Sequence, residues 1–163
     1  MLNKYWFYIV GLLSIMALAS AFVAEFYFDL APCEMCLKQR EPYYFIIAGF
    51  IIITILKWQE QIWFYLGVQI ISIYGLFYSI WHVGIENKFL PGPVGCSSGL
   101  NMTTNTSSLK EQILSKPVIN CEDVVWSIFG LSAASINSLL LFLIFILNAI
   151  YIWNNYATKK EIN

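Results

Sequence analysis

The sequence predicts an all-α integral membrane protein, a four-helix bundle whose two cysteine-bearing loops lie on one side of the membrane. Of its 163 residues, 59% are hydrophobic and only 12% are charged, whereas a soluble domain is about 25% charged. Four apolar segments follow one another, and only one long polar stretch, before the fourth, separates them. We expect residues 1–163 to form a single membrane domain.

The first apolar segment, residues 5–28, is long enough to cross a hydrocarbon core of about 30 Å, which requires about 20 residues. Aromatic residues lie near both of its ends, as is typical of membrane–water interfaces. A cleaved signal peptide is the alternative, with Ala17-Leu18-Ala19 as a cleavage site. The apolar run continues to Phe26, which is long for a signal peptide, and therefore favours a retained helix.

The other three spans are expected at about 40–56, 62–83 and 125–153. The second apolar run, from Tyr43 to Leu56, would span only about 21 Å as a helix, so this helix must begin earlier, near Cys36 or Arg40. Pro42 would then lie in the first turn, where a missing N–H costs little.

Polar and small residues within the later spans predict contacts between helices. Gly130, Ala134 and Ser138 recur every four residues, as in a packing stripe, and Ala17 and Ala21 do the same in the first span. Asn137 and Gln69 are amides in otherwise apolar segments, and we expect them to form hydrogen bonds between helices.

Four spans place both termini on one side and loops 29–39 and 84–124 on the other. All four cysteines then share one side of the membrane. Lysine and arginine residues do not fix the orientation, because they occur on both sides. An even number of cysteines is compatible with disulfide pairing, which is typical of an oxidising compartment such as the periplasm. We therefore expect periplasmic loops and cytoplasmic termini.

Cys33 and Cys36 form a C-x-x-C pair just before the second span. Such a pair can close a small disulfide ring, and a cation or a helix N-terminus stabilises one of its thiolates. Lys38 and Arg40 provide positive charge, whereas Glu34 lies between the cysteines and is expected to disfavour a thiolate.

Zinc binding is the structural alternative for these thiols. Structural zinc usually requires four cysteine or histidine ligands, often as two closely spaced pairs. Cys96 and Cys121 are far apart in sequence, and His82 is the only histidine. We therefore favour a site without metal.

Cys96 and Cys121 enclose the long polar loop and allow two interpretations. A permanent disulfide between them would stabilise the fold by about 3–4 kcal/mol in the chain-entropy model. An exchangeable disulfide on a mobile arm would instead pass its oxidation state to Cys33 through mixed disulfides.

Arg40 and His82 are the candidate cofactor-binding residues. Arg40 follows Cys36 by four residues, which places both on the same face of a helix. Its guanidinium would either reach the lipid head groups or donate hydrogen bonds to a carbonyl-bearing membrane cofactor. His82 ends the third span and is either structural or a proton shuttle. The net charge of −1 argues against a nucleic-acid partner.

Several motifs together resemble the disulfide bond formation protein B (DsbB) family, over nearly the whole chain. They are Pro32-Cys33-x-x-Cys36-x-x-Gln39-Arg40, Pro91-Gly92-Pro93-x-Gly95-Cys96, Cys121, and Trp126-Ser127-x-Phe129-Gly130. The resemblance implies a thiol:quinone oxidoreductase of the bacterial inner membrane. Its partner would be a periplasmic DsbA-type oxidant of the thioredoxin fold, and its cofactor ubiquinone or menaquinone.

The resemblance also implies roles for the individual residues. A partner thiolate would attack a Cys96–Cys121 disulfide at Cys96, and the freed Cys121 would then attack Cys33. Cys36 would leave as a thiolate beside the quinone, with Arg40 on a quinone oxygen and His82 close by. A non-catalytic four-helix scaffold with disulfide-stapled loops is the alternative from a different functional class.

Overall fold

A computed structural model describes residues 2–58, 62–93, 121–124 and 126–157, which are mostly helical, as the sequence predicts. Cys96 and most of the predicted loop 84–124 lie outside these residues. The long helices are α1 (Leu2–Phe26), α2 (Glu34–Leu56), α3 (Ile62–Glu86) and α4 (Ala133–Ile152). A short hairpin, β1 (Ser127–Ile128) and β2 (Leu131–Ser132), precedes α4, and a π-helical turn, Trp153–Ala157, follows it.

Among the described residues, three helices are long and apolar enough to cross a membrane: Tyr5–Phe26, Ile62–Glu86 and Ala133–Asn155. Helix α2 is less apolar over its length because its first turns contain Glu34, Lys38, Arg40 and Glu41. Large apolar side chains remain exposed on the outer helix faces, such as Ile55 (73% exposed) and Ile70 (68% exposed). A lipid environment would cover such surfaces, in agreement with a membrane protein.

Helix α2 begins earlier than the predicted second span. Cys33 caps it with extended backbone angles, and the Cys33 Sγ accepts a hydrogen bond from the Cys36 N–H at 3.2 Å. Pro42 therefore lies in the helix interior. The prediction that Pro42 lies in the first turn of this helix is wrong. Its ring faces Gly75, where an added Cβ would lie 2.7 Å from the Pro42 Cγ and 2.8 Å from the Leu141 Cδ1. The absence of a side chain at Gly75 thus lets α2, α3 and α4 approach closely.

Helix α4 begins at Ala133, later than the expected start near residue 125. Phe129 (φ 52°) and Gly130 (φ 80°) adopt left-handed angles and form the hairpin turn, which no α-helix can contain. Ser132 caps the helix, and its Oγ accepts from the Ser135 N–H at 3.2 Å. Gly130 therefore does not belong to a helical packing stripe, and this part of the prediction is wrong.

The helices pack in chain order, since α1 contacts α2, α2 contacts α3 and α3 contacts α4, while α1 also touches α4. Trp6, Phe7, Ile46, Tyr65 and Ile144 belong to a buried apolar core contributed by all four helices. Within the packed helices, the Asn137 and Gln69 side chains form interhelical hydrogen bonds, which confirms that prediction.

Candidate functional site

The two cysteines of the C-x-x-C pair meet at the N-terminus of α2. Cys33 is 3% exposed and its sulfur lies 2.6 Å from that of Cys36. Both are free thiols. Met35, between them, points into the protein and is buried, whereas Glu34 is exposed. The helix start therefore brings both sulfurs to one side and turns the intervening acid away from them.

The two thiols differ in their tendency to ionise. Hydrogen bonds from the Cys36 thiol and from His82 outweigh burial and lower the pKa of Cys33 to about 5. The pKa of Cys36 is raised, because its proton is held by the Cys33 sulfur and the site is desolvated. Cys33 thus carries the thiolate of the reduced pair. Glu34 does not prevent this, contrary to the expectation from its position in the sequence.

Cys121 and His82 lie directly beside Cys33. The Cys33 Sγ is 3.7 Å from the His82 Nε2, and the ligand atoms of Cys33, His82 and Cys121 all lie within 4.8 Å of one another. Cys121 is fully buried and disulfide-bonded. The structure thus brings together three of the four cysteines singled out in the sequence, and Cys96 lies outside the described residues.

Metal binding by this group is limited by the disulfide. With the Cys121 sulfur in a covalent bond, Cys33 and His82 remain as ligands with atoms close enough to share an ion. A structural zinc site needs four ligands. We therefore assign no metal to this group.

A cavity of about 160 Å³ opens beside Cys36. Small residues of α1 form one wall: Ala17, Ser20, Ala21 and Ala24. The small residues that were predicted to permit close packing of this helix therefore also leave space for the cavity. The opposite side presents Cys36, Arg40 and His82, together with Glu86 and Trp126.

The cavity suits a flat apolar molecule that carries carbonyl oxygens. Its walls are mostly apolar, and Arg40 supplies N–H donors beside the Cys36 thiol. Buried sites of this kind, apolar with a few polar groups, are typical of cofactor pockets. Arg40, His82 and Cys36 are the polar lining residues that could contact such a cofactor.

Arg40 is buried and held in place by α1. Its guanidinium forms a salt bridge with Glu25, donates to the Ala21 carbonyl at 3.5 Å and lies 5.4 Å from the centre of the Phe22 ring. Because it is only 8% exposed, Arg40 does not extend to the head groups. Sequence reasoning missed Glu25, although a buried arginine requires a nearby acid.

His82 is 3% exposed and hydrogen-bonded through both ring nitrogens. The Gln39 Nε2 lies 2.7 Å from the His82 Nδ1, and the His82 Nε2 faces the Cys33 sulfur. Gln39 belongs to the C-x-x-C-x-x-Q-R motif, but the sequence gave no reason to connect it with His82. Their contact depends on the register between α2 and α3.

Comparison with known proteins gives a family and one relative. The model of the family described as "Disulfide bond formation protein DsbB" matches residues 3–152. The protein described as "Uncharacterized protein RP370" from Rickettsia prowazekii (strain Madrid E) is 27% identical over 130 residues, covering 78% of this chain and 75% of that protein. No solved structure matches.

Proposed function

Since the chain belongs to the DsbB family, and is thus an oxidoreductase of disulfide bond formation, we propose that it reoxidises a periplasmic DsbA-type thiol oxidant and delivers the electrons to a membrane quinone. The observation that carries this proposal is the position of Cys33. Its sulfur lies within 4.8 Å of the sulfur of disulfide-bonded Cys121 and 2.6 Å from that of Cys36. Cys36 in turn borders the cavity that contains Arg40.

The first half of the relay exchanges disulfides. We assign Cys96 as the disulfide partner of Cys121, because Cys33 and Cys36 are free. A thiolate of the reduced partner attacks Cys96, which breaks the Cys96–Cys121 bond and forms a mixed disulfide. The second partner thiolate then attacks its own mixed disulfide, so the partner leaves oxidised and Cys96 leaves as a thiol.

The second half moves the same two electrons to the cavity. The freed Cys121 thiolate attacks Cys33 of a Cys33–Cys36 disulfide, and Cys36 leaves as a thiolate. Cys96 then attacks Cys121, which re-forms the loop disulfide and leaves the C-x-x-C pair reduced. The Cys33 and Cys36 sulfurs lie 2.6 Å apart, and a disulfide bond is about 2.05 Å long. The pair can therefore form a disulfide with little movement.

A bound quinone supplies an acceptor for two electrons and two protons. The chain must keep Cys36 ionised next to it. Cys33 is the main cause of the raised pKa of Cys36, while the Arg40 charge acts in the opposite direction. Once Cys33 is bonded to Cys121, the Cys33 contribution that raises the pKa of Cys36 most is removed, whereas burial, which also raises it, and the Arg40 charge, which lowers it, remain. Formation of the mixed disulfide therefore favours the Cys36 thiolate at the cavity.

We further propose a bundle of four spans, with α2 completing the three apolar helices, and with Arg40 and His82 as the quinone-binding residues. The loops around 29–39 and 84–124 are assigned to the periplasm and both termini to the cytoplasm. The proximity of Cys33 and Cys121, one from each loop, supports a common side for the two loops.

The test is quinone reduction by the purified protein with a reduced DsbA-type partner, with ubiquinone and menaquinone analogues assayed in parallel. Cys33→Ser and Cys36→Ser are each expected to abolish turnover. Ser72→Ala is the matched control, since it removes one buried hydroxyl on α3 that has no hydrogen-bond partner among the described residues. Full turnover in both cysteine variants would favour a scaffold with stapled loops.

A further inference from the structure

A continuous chain of hydrogen bonds connects α4 to the reactive thiol. It begins at Asn137, whose Nδ2 donates to the Gln39 Oε1 at 3.0 Å and to the Ser79 Oγ at 2.7 Å. The Tyr43 hydroxyl donates to the Asn137 Oδ1. In this orientation both amide hydrogens and the oxygen of Asn137 are used.

The orientation of Asn137 determines that of Gln39. Because the Gln39 Oε1 accepts from Asn137, the Gln39 Nε2 must be the group that lies 2.7 Å from the His82 Nδ1. An amide nitrogen only donates, so Nδ1 must accept and carry no proton. The imidazole proton is then on Nε2, which faces the Cys33 Sγ at 3.7 Å.

We propose that Gln39 and Asn137 are positioning residues that hold His82 in the Nε2–H tautomer, so that its single N–H donates to the Cys33 sulfur and stabilises the thiolate. This inference rests on the proposed function, because it assigns a role within the same relay. In that relay the Cys33 thiolate is the nucleophile that closes the Cys33–Cys36 bond as the electrons leave through Cys36.

The opposite tautomer would give His82 a different role. With the proton on Nδ1, the Nε2 lone pair would face the sulfur, and His82 would act as a base that takes the thiol proton, as in other Cys–His pairs. The Cys33 thiolate would then form only together with a buried imidazolium cation. In the orientation described above, Gln39 disfavours this state because its own N–H would meet the Nδ1–H. The orientation of one amide thus decides whether His82 stabilises the thiolate as a neutral donor or as a cation.

Other ionisable groups near Cys33 do not replace this contact. Cys36 lies on α2, and Cys121 approaches from the segment before β1 with its sulfur in a disulfide. The charge of Arg40 is paired with Glu25 of α1, and Glu86 accepts a hydrogen bond from the Ser132 hydroxyl at the start of α4. On α3, His82 is the ionisable group that contacts the Cys33 sulfur.

The chain has one histidine, so ¹⁵N-histidine labelling reports on His82 alone. We expect the ¹⁵N spectrum of the reduced protein in detergent to show a protonated Nε2 and an unprotonated Nδ1. A spectrum with the proton on Nδ1 would overturn the inference, and this measurement requires no variant.

Two near-isosteric variants then test the chain of hydrogen bonds. Gln39→Met and Asn137→Leu are expected to give mixed tautomers and to slow iodoacetamide alkylation of Cys33 at pH 6 about two- to tenfold. The reason is that loss of one hydrogen bond to a charged group raises the pKa of Cys33 from about 5 to between about 6 and 7. Asn148→Leu is the matched control. It removes a fully buried amide from the same helix, bonded to Trp6 and Gln69, and should change neither readout.

Two results separate this inference from the proposed function. Quinone reduction by a wild-type protein whose His82 is protonated on Nδ1 would disprove the role of Gln39 and Asn137 and retain the relay. The expected tautomer in a wild-type protein that does not reduce quinone would disprove the relay and retain the tautomer assignment. Variants that keep the wild-type spectrum and alkylation rate would also overturn the inference.

Discussion

Two asparagines on α4, the half-buried Asn137 and the fully buried Asn148, are bonded alike but lie at opposite ends of the protein. Each donates both amide hydrogens and accepts one hydrogen bond, and each has a glutamine among its acceptors. From Asn148 the chain passes to Gln69 and ends on the Phe145 carbonyl. From Asn137 it passes through Gln39 and His82 to the Cys33 thiol.

The difference between the two clusters lies in their last member. A backbone carbonyl cannot change its protonation state, so the Asn148 cluster only holds α1, α3 and α4 together. A thiol can change its protonation state. We therefore expect the same type of amide contact in the Asn137 cluster to influence the reactivity of Cys33. Hydrogen bonds between membrane helices contribute about 0.6–2 kcal/mol each, so both clusters stabilise the fold, and only one should affect turnover.

The largest expected effect is that of Arg40→Met, at the end of the protein that contains Cys33 and Cys36. We expect it to lower both stability and quinone reduction. Removing the guanidinium leaves Glu25 without its salt-bridge partner in a partly buried position, and breaking a buried pair costs about 3–5 kcal/mol. Quinone reduction should fall at the same time, with a raised KM for quinone, because a donor at the cavity is lost. Thermal unfolding in detergent and quinone titration measure the two effects.

Lys38→Met is the control for Arg40. Lys38 also forms an ion pair on α2, with Glu41 at 2.8 Å, but the two side chains are more exposed (43% and 35%) than those of Arg40 and Glu25 (10% and 25%), and surface pairs contribute about 0–1 kcal/mol. An equal loss of stability in both variants would contradict the assignment of Arg40 to a buried pair.

The next largest expected effect is the loss of stability in Gly75→Ala, at a position on α3 between the Asn148 and Asn137 clusters. The new methyl group would lie within 3 Å of the rigid Pro42 ring and of Leu141, and overpacking of this kind costs about 1–3 kcal/mol. Gly67→Ala is the control, because a Cβ at Gly67 would meet no atom within 4 Å. Thermal unfolding should separate the two variants, and equal melting temperatures would argue against close packing at Pro42.

Asn148→Leu should lower stability by about 1–3 kcal/mol, because Trp6, Gln69 and the Tyr65 carbonyl lose their partner inside the protein. Turnover with quinone should remain within twofold of the wild type once both are assayed well below their melting temperatures. Asn137→Leu should lower both quantities. If Asn148→Leu lowered turnover as much as Asn137→Leu, the distinction between the clusters would be wrong.

The sequence predicts more of the helices than of the contacts between them. Among the described residues, apolar length was sufficient to locate α1, α3 and α4, since the membrane imposes that length, whereas the apolar run of α2 was too short by itself. It could not locate the start of α4, because the left-handed angles of Phe129 and Gly130 leave no mark on hydropathy. The interior position of Pro42 was missed because the second helix extends into polar sequence as far as Glu34.

The site shows the same division. The proximity of Cys33, Cys36 and Arg40 follows from local spacing along one helix and was accessible from the sequence. The contacts of Arg40 with Glu25 and of Gln39 with His82 require the register between separate helices. No periodicity in a single sequence specifies that register, so the counter-ion and the orienting amide appeared only in the structure.

The last comparison concerns the pH dependence of the reduced protein. The pKa of Cys33 is lowered from 9.0 to about 5, so its alkylation rate should stay nearly constant from pH 8 to pH 6. An ordinary cysteine, with a pKa of about 8.5, would slow about a hundredfold over this range. Peptide mapping of the alkylated protein distinguishes Cys33 from Cys36, whose pKa is raised and which should react far more slowly.

The same shift has a defined effect on stability. Because the folded pKa of Cys33 lies below the unfolded value, ionisation of Cys33 stabilises the reduced protein fully above about pH 9, and this contribution decreases as the pH falls to about 5. The melting temperature of the reduced wild type should therefore decrease from pH 8 to pH 5 more than that of Cys33→Ser, which lacks the thiolate. Parallel curves for the two proteins would mean that Cys33 ionises alike in the folded and unfolded chains, and that this end of the molecule, like the Asn148 end, has only a structural role.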